Sequence, residues 1–120
     1  IANYYKEISK GLLKSAKQAL PKSSTINTIV VPGVFEIPVT ISKNIKKYDG
    51  FLALGCVIKG ETPHFEFISQ ATTDAIMKIS VDNKKPVGNG IITCLNMKQA
   101  TLRKKKGREA AIAVLSVLNQ

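Results

Sequence analysis

The chain's single histidine, His64, lies in the run GETPHF at residues 60–65. An imidazole changes charge near neutral pH, which suits it to accepting and returning protons in a reaction at physiological pH. The run KGETPH, residues 59–64, follows a strongly apolar stretch and precedes a helical pattern. Free backbone N–H groups at the start of that helix favour an anion, and Thr62 adds a hydroxyl donor suited to phosphate. The same residues also make an ordinary strand-to-helix turn, with Thr62 as N-cap and Pro63 at the first helical position. The helix dipole disfavours an imidazolium at His64 and leaves a neutral ring able to take a proton. Taken alone, a histidine on a helix is more often structural or merely exposed.

A second candidate is VPGVFEIP, residues 31–38. It offers backbone groups at the Gly33 turn, a carboxylate at Glu36 to accept hydrogen bonds from ligand hydroxyls, and Phe35 as an apolar wall. Its plain alternative is a turn, a core aromatic and a first-turn glutamate favoured by the helix dipole. No GxGxxG, no GKS or GKT after a glycine-rich loop and no GxSxG occurs, which removes dinucleotide, nucleoside-triphosphate and serine-hydrolase readings. Cys56 and Cys94 lie inside apolar runs with no CxxC pair or Cys/His cluster, so buried free thiols are expected and no metal site is.

The net charge of +10, with a pI near 9.8, raises the question of nucleic acid. Lys6, Lys10 and Lys14 recur at the i+4 spacing of one outer helix edge, and most other lysines stand singly or in pairs. The dense run RKKKGR, residues 103–108, has no interleaved aromatics on which bases could stack. A solvated basic face accounts for the charge, and neither a nucleic-acid nor a membrane partner is expected.

These residues need a scaffold. A length of 120 residues, with 44% hydrophobic and 22% charged, fits one soluble domain spanning residues 1–120. No apolar run approaches the roughly 20 residues of a membrane helix, and the start lacks the layout of a signal peptide, so a cytoplasmic protein is expected. Apolar residues at i+4 spacing mark a helix over residues 4–20, ended by Pro21. INTIVV (26–31) reads as a buried strand, residues 35–47 as a second helix, and the unbroken apolar FLALGCVI (51–58) as a strand covered on both faces. Residues 65–80 form a third helix with Phe67, Ile68, Ala71, Ala75, Ile76 and Ile79 inward. VGNGIITC (87–94) reads as another interior strand whose glycines permit a close approach by a ligand or neighbouring chain. Asn96 caps a short helix through Arg103, and residues 107–118 form a terminal helix. Strands alternating with helices imply a mainly parallel sheet in an α/β class, three-layer α/β/α sandwich. Ligands bind such folds beyond the carboxyl ends of the strands, where residues 32–36, residues 59–64 and the segment after Cys94 lie.

Four blocks in this order, VPGVFEIPV, ALGCVIKGETPHFEF, PVGNGIITC with NMKQA, and KGREAA, resemble the lumazine synthases. The resemblance spans nearly the whole chain and implies a flavodoxin-like fold. It implies a transferase of riboflavin biosynthesis that condenses 5-amino-6-(D-ribitylamino)uracil with 3,4-dihydroxy-2-butanone 4-phosphate and needs no cofactor. By the same resemblance His64 handles protons, while Glu61, Thr62 and Arg103 bind the butanone phosphate. Tyr4, Val34, Phe35, Glu36, Val57, Ile58, Lys59 and Asn89 surround the ribitylaminouracil, with Lys106 and Glu109 near the reacting groups. Members assemble as pentamers or as shells of pentamers with active sites shared between subunits; a pentamer is expected here. Non-catalytic binding of a flavin precursor or phosphate in the same pocket is the alternative, and it would not need His64.

The chain departs from the family pattern at four places. Asn3-Tyr4-Tyr5 stands where Arg-Phe-Asn is usual, and Asn89 where many members have a phenylalanine from the adjacent subunit. Only Lys104 and Lys105 separate Arg103 from Lys106, against a longer glycine-containing loop in the family. Only Ile1 and Ala2 stand where a full first strand is usual, so that strand and part of the loop near Lys104 are expected to be missing from this chain.

Overall fold

A computed structural model describes residues 1–60 and 63–120. The order of elements is α1 (Lys6–Ala19), a 3-10 turn (Val34–Glu36), α2 (Ile37–Lys43), β1 (Phe51–Ile58), α3 (His64–Asn83), β2 (Val87–Cys94), α4 (Met97–Leu102) and α5 (Lys106–Leu118). β1 and β2 pair in parallel from Phe51 opposite Val87 to Ile58 opposite Cys94. Both strands coincide with the apolar runs read from the sequence, because glycine and proline at their ends leave no room for ambiguity.

The remaining strand reading needs correction. Residues 26–31 do not form a named strand; Val31 makes a single parallel bridge to Ala2. Ile1 donates to Ile29 O at 2.7 Å, Val31 N to Ile1 O at 2.9 Å and Asn3 N to Val31 O at 3.0 Å, while Ala2 N turns the other way to Leu54 O at 2.8 Å. The neighbour available to residues 26–31 is therefore three residues long, too short for a ladder. The spatial order is nevertheless residues 29–31, residues 1–3, β1, β2, the flavodoxin-like order in which the second strand lies outside the first.

Helices cover both faces. Ile8, Leu12 and Ala16 of α1 and Ala110 and Ala111 of α5 pack on Leu54, Cys56, Ile92 and Cys94. On the opposite face Ile37 and Ile41 of α2 and Ile76 of α3 pack with Ala2, Val34 and Ala53. β1 is covered on both sides, which is why its sequence is apolar throughout. β2 differs from the interior strand expected: among the described residues it pairs only with β1 and alternates buried with exposed positions, leaving Asn89 and Thr93 exposed. The close approach its glycines allow is by α5. A side chain at Gly88 would strike the Ala110 carbonyl, and one at Gly90 would come within 3.3 Å of Ala110 Cβ.

Two helices differ from their sequence patterns. The second stops at Lys43 rather than residue 47, since Asn44 Nδ2 donates back to Thr40 O at 2.8 Å and offers the backbone an alternative to helix. α3 extends to Asn83, and its inward stripe is Ile68, Thr72, Ile76 and Ile79, so Phe67 and Ala71 point outward and Phe67 is 68% exposed. The Asn96 cap is present, its side chain accepting from Gln99 N at 2.9 Å.

Candidate active site

The candidate residues fall into two groups. The first stands at the carboxyl ends of residues 1–3, residues 29–31 and β1. Val57 and Ile58 end β1, half-buried. Lys59 is exposed and continues the ladder, its N–H donating to Cys94 O at 2.8 Å. His64 is the exposed first residue of α3, after Pro63. Pro63 precedes the helix as its cap residue, so it is not the first helical position. Thr62 and Glu61 lie outside the described residues, and with them the proposed phosphate donors of this turn.

Phe35 and Glu36 occupy the 3-10 turn, with Phe35 60% exposed. The Glu36 carboxylate folds over the Gly33 turn, 3.3 Å from where a Cβ of that glycine would be, and so faces the loop. Val34 is different, because its side chain is buried against Gly55 and packs with Ala2, Ile37 and Ala53. Only its backbone can face a ligand. Tyr4 is exposed and meets Tyr5 edge to face with ring centroids 4.9 Å apart.

The second group lines a cleft of about 690 Å³ along the outer edge of β2: Asn89, Arg103, Lys106 and Glu109, with Thr93 and Lys105. In a parallel pair alternate residues point their backbone groups to alternate sides, and the Phe51 N to Pro86 O bond of 3.0 Å puts Ile91 and Thr93 on the open edge. Two cleft residues satisfy that edge. Asn89 Oδ1 accepts from Ile91 N at 3.0 Å, and Arg103 Nη1 donates to Thr93 O at 3.0 Å. Lys106 and Glu109 form an exposed ion pair of 3.8 Å one helical turn apart. Asn89 stands five residues upstream of Cys94, roughly 16 Å at about 3.3 Å per residue, so the Asn89 end of the cleft runs away from the mouth of β1, while Arg103, 4.0 Å from Cys94 Sγ, stands at the end of β2. Composition and periodicity carried no sign of this division, since it depends on β2 being an edge; the family resemblance, with sites shared between subunits, implied it.

A second hollow of about 690 Å³ lies at the amino ends of the strands, between Leu20, Ile29, Phe51 and Leu118. It is apart from both groups. Beneath the site, Cys56 and Cys94 are buried free thiols, and burial first, then its neighbour Cys94, pushes the Cys56 thiol up to about 12. No group of three or more potential metal-ligating side chains occurs among the described residues.

A family model described as 6,7-dimethyl-8-ribityllumazine synthase matches residues 1–120. The chain belongs to the 6,7-dimethyl-8-ribityllumazine synthase family. Curated relatives of that name include one from Bartonella tribocorum, 44% identical over 126 residues, covering 98% of this chain and 83% of the relative. One from Agrobacterium fabrum is 40% identical, with 98% and 88% covered, and one from Corynebacterium kroppenstedtii is 38% identical, with 96% and 77% covered. Alignments of 126 and 130 positions against a chain of 120 residues contain positions that this member of the family lacks.

Proposed function

We infer that this member of the family binds ribitylaminouracil at the carboxyl ends of residues 1–3, residues 29–31 and β1, and the butanone phosphate against the cations of a β2-edge cleft. The reaction is the family's: 5-amino-6-(D-ribitylamino)uracil and 3,4-dihydroxy-2-butanone 4-phosphate condense to 6,7-dimethyl-8-ribityllumazine, releasing phosphate and water. It is the penultimate step of riboflavin biosynthesis. The family match over residues 1–120 carries this reading.

The primary amine of the uracil attacks the ketone and water leaves as an imine forms, phosphate is eliminated, and the ring closes as the ribityl-bearing nitrogen attacks the remaining carbonyl and a second water leaves. Holding two substrates together removes much of the entropic barrier to such a condensation. Proton transfer at imine formation and ring closure falls to His64, which opens the 20-residue helix α3 and is exposed where a substrate can reach it. Phe35 supplies an apolar wall, Glu36 and the Val34 backbone accept and donate to ribityl hydroxyls, and Val57 and Ile58 flank the pyrimidine with Tyr4 stacking on it. The Glu61 backbone N–H and the Thr62 hydroxyl donate to the phosphate, which pairs with the planar fork of Arg103. Lys106 and Glu109 stand beside it.

The cleft opens on the outer edge of β2, on the side of that strand away from β1, which supports a homopentamer whose sites are shared between neighbours, the β2-edge cleft of one copy meeting the β1 mouth of the next. Exposed Met77 and Val81, one turn apart on α3, give such an assembly apolar surface to bury. The two buried free thiols fit a cytoplasmic location.

Mixing the chain with both substrates and following the absorbance and fluorescence of the lumazine tests the reading. His64→Ala should slow the condensation by about 10²-fold while light scattering reports unchanged assembly. An unchanged rate would reduce His64 to a structural residue.

A further inference from the structure

The turn that carries Phe35 and Glu36 is seated on β1 through Val34. Side chains alternate along a strand, so residues 53, 55 and 57 share one face of β1, and Ala53 and Val57 both pack in the core beneath α2 and α3. Gly55 stands between them with no side chain of its own, and Val34 fills the space. A methyl group on Gly55 would stand 2.7 Å from Val34 Cγ1, well inside the distance of about 3.5 to 4.0 Å at which carbon atoms rest against each other. The other neighbours of that point are farther off, Ala2 Cβ at 3.1 Å and Ile37 Cδ1 at 3.7 Å. The turn is also locked to α2. Glu36 N donates to Gly33 O at 3.2 Å, and Thr40 Oγ1, four residues on, donates to Glu36 O at 2.8 Å. Where Val34 rests therefore fixes where Phe35 and Glu36 stand. Val57 lies two residues beyond Gly55 on the same face, roughly 7 Å at about 3.3 Å per residue.

We propose that Gly55 is a positioning residue for the ribitylaminouracil half of the reaction: its missing side chain sets how closely the turn that holds the ribityl chain approaches the β1 wall that flanks the pyrimidine. The proposal rests on the reading of residues 34–36 as the ribityl site. Gly55 is itself buried and acts only through Val34. It does not adopt a positive φ, so the position requires space and not conformational freedom. A glycine weakens a strand interior, and stability alone does not call for one here. Alanine at this point pushes Val34 outward by about 1 Å, and Phe35 and Glu36 move with it. A displacement of about that size is enough to change kinetics by one to two orders of magnitude.

The test is steady-state kinetics of Gly55→Ala, Val34→Ala, the double variant of both and Phe35→Ala beside wild type, with each substrate varied in turn. Gly55→Ala should raise KM for ribitylaminouracil about tenfold, with KM for the butanone phosphate and kcat nearly unchanged. In the double variant the truncated Val34 makes room for the new methyl, and KM should return to within about threefold of that of Val34→Ala. Val34→Ile enlarges the same contact from the side of the turn; it should raise the same KM and carries the test if Gly55→Ala does not fold. A merely structural role would lower apparent kcat through a smaller folded fraction and leave both KM values alone. That result overturns the proposal, as does a raised KM that the double variant fails to recover. If Phe35→Ala raises the ribitylaminouracil KM but Gly55→Ala and Val34→Ile do not, the turn remains the ribityl site and the spacing role of Gly55 is wrong. If Phe35→Ala leaves that KM unchanged, the reading of the turn falls and the proposal with it.

Discussion

Cys56 lies under the end of β1 with Cys94 beside it, and burial, followed by that neighbouring thiol, pushes its pKa up to about 12. Only the thiolate is nucleophilic, and at pH 8 about one in ten thousand Cys56 side chains would carry it. Iodoacetamide should therefore leave Cys56 of the folded protein unmodified at pH 8 and label it after denaturation, as peptide mass mapping would reveal. The raised value also bears on stability. Between the ordinary thiol value near 9 and about 12 the unfolded chain loses this proton while the folded chain keeps it, so the stabilisation present below pH 9 declines as pH rises. Denaturant midpoints above pH 9 should fall less steeply in Cys56→Ala than in wild type. Some of this scale was legible in the sequence. Buried thiols followed from their apolar neighbours, and the place of His64 at the start of a helix from the strand-to-helix pattern around it. The bond from Ile91 N to Asn89 Oδ1 was not, because a side chain satisfying its own strand makes sense only once that strand is known to be an edge.

Among the elements, β1 and β2 were legible to the residue, since continuous apolar runs bounded by glycine or proline admit one reading. Residues 26–31 have the same composition and yet form a single bridge, because pairing depends on a neighbour that composition does not describe. Helix ends were less legible where side chains compete with the backbone, as Asn44 does at the end of α2. The glycines of β2 were read as room for a ligand or another chain, whereas α5 fills that room. Gly88→Ala should consequently cost about 2 kcal/mol, since the added methyl meets the Ala110 backbone and a whole helix must move. Asn96→Ala removes an N-cap from α4 and should cost about 1 kcal/mol. Urea titrations of both variants would check these costs, and equal loss in the two would contradict the distinction between backbone overlap and a lost cap.

For the whole molecule, the proposed sharing of sites between subunits is open to a direct test, since Asn89, Arg103, Lys106 and Glu109 line one cleft and His64 belongs to the other group. Mixing His64→Ala and Arg103→Ala chains, each strongly impaired alone at low butanone phosphate, should restore about a quarter of wild-type activity if every site draws one residue from each of two neighbours and the chains assort at random. No recovery after dissociation and joint reassembly would place both residues in one chain's site. The fold class was legible at this scale from the alternation of elements, but the division into two groups was implied only by the family resemblance, since it follows from strand order. That order leaves the outer side of β2 open, and Asn89 and Arg103 occupy its Ile91 N–H and Thr93 carbonyl. An unclaimed strand edge is a template on which foreign chains add and aggregates grow. The residues lining the cleft are therefore also guardians of solubility. On the proposed reading of the site, selection on substrate binding and selection against aggregation act on the same two side chains, which narrows what either position can become.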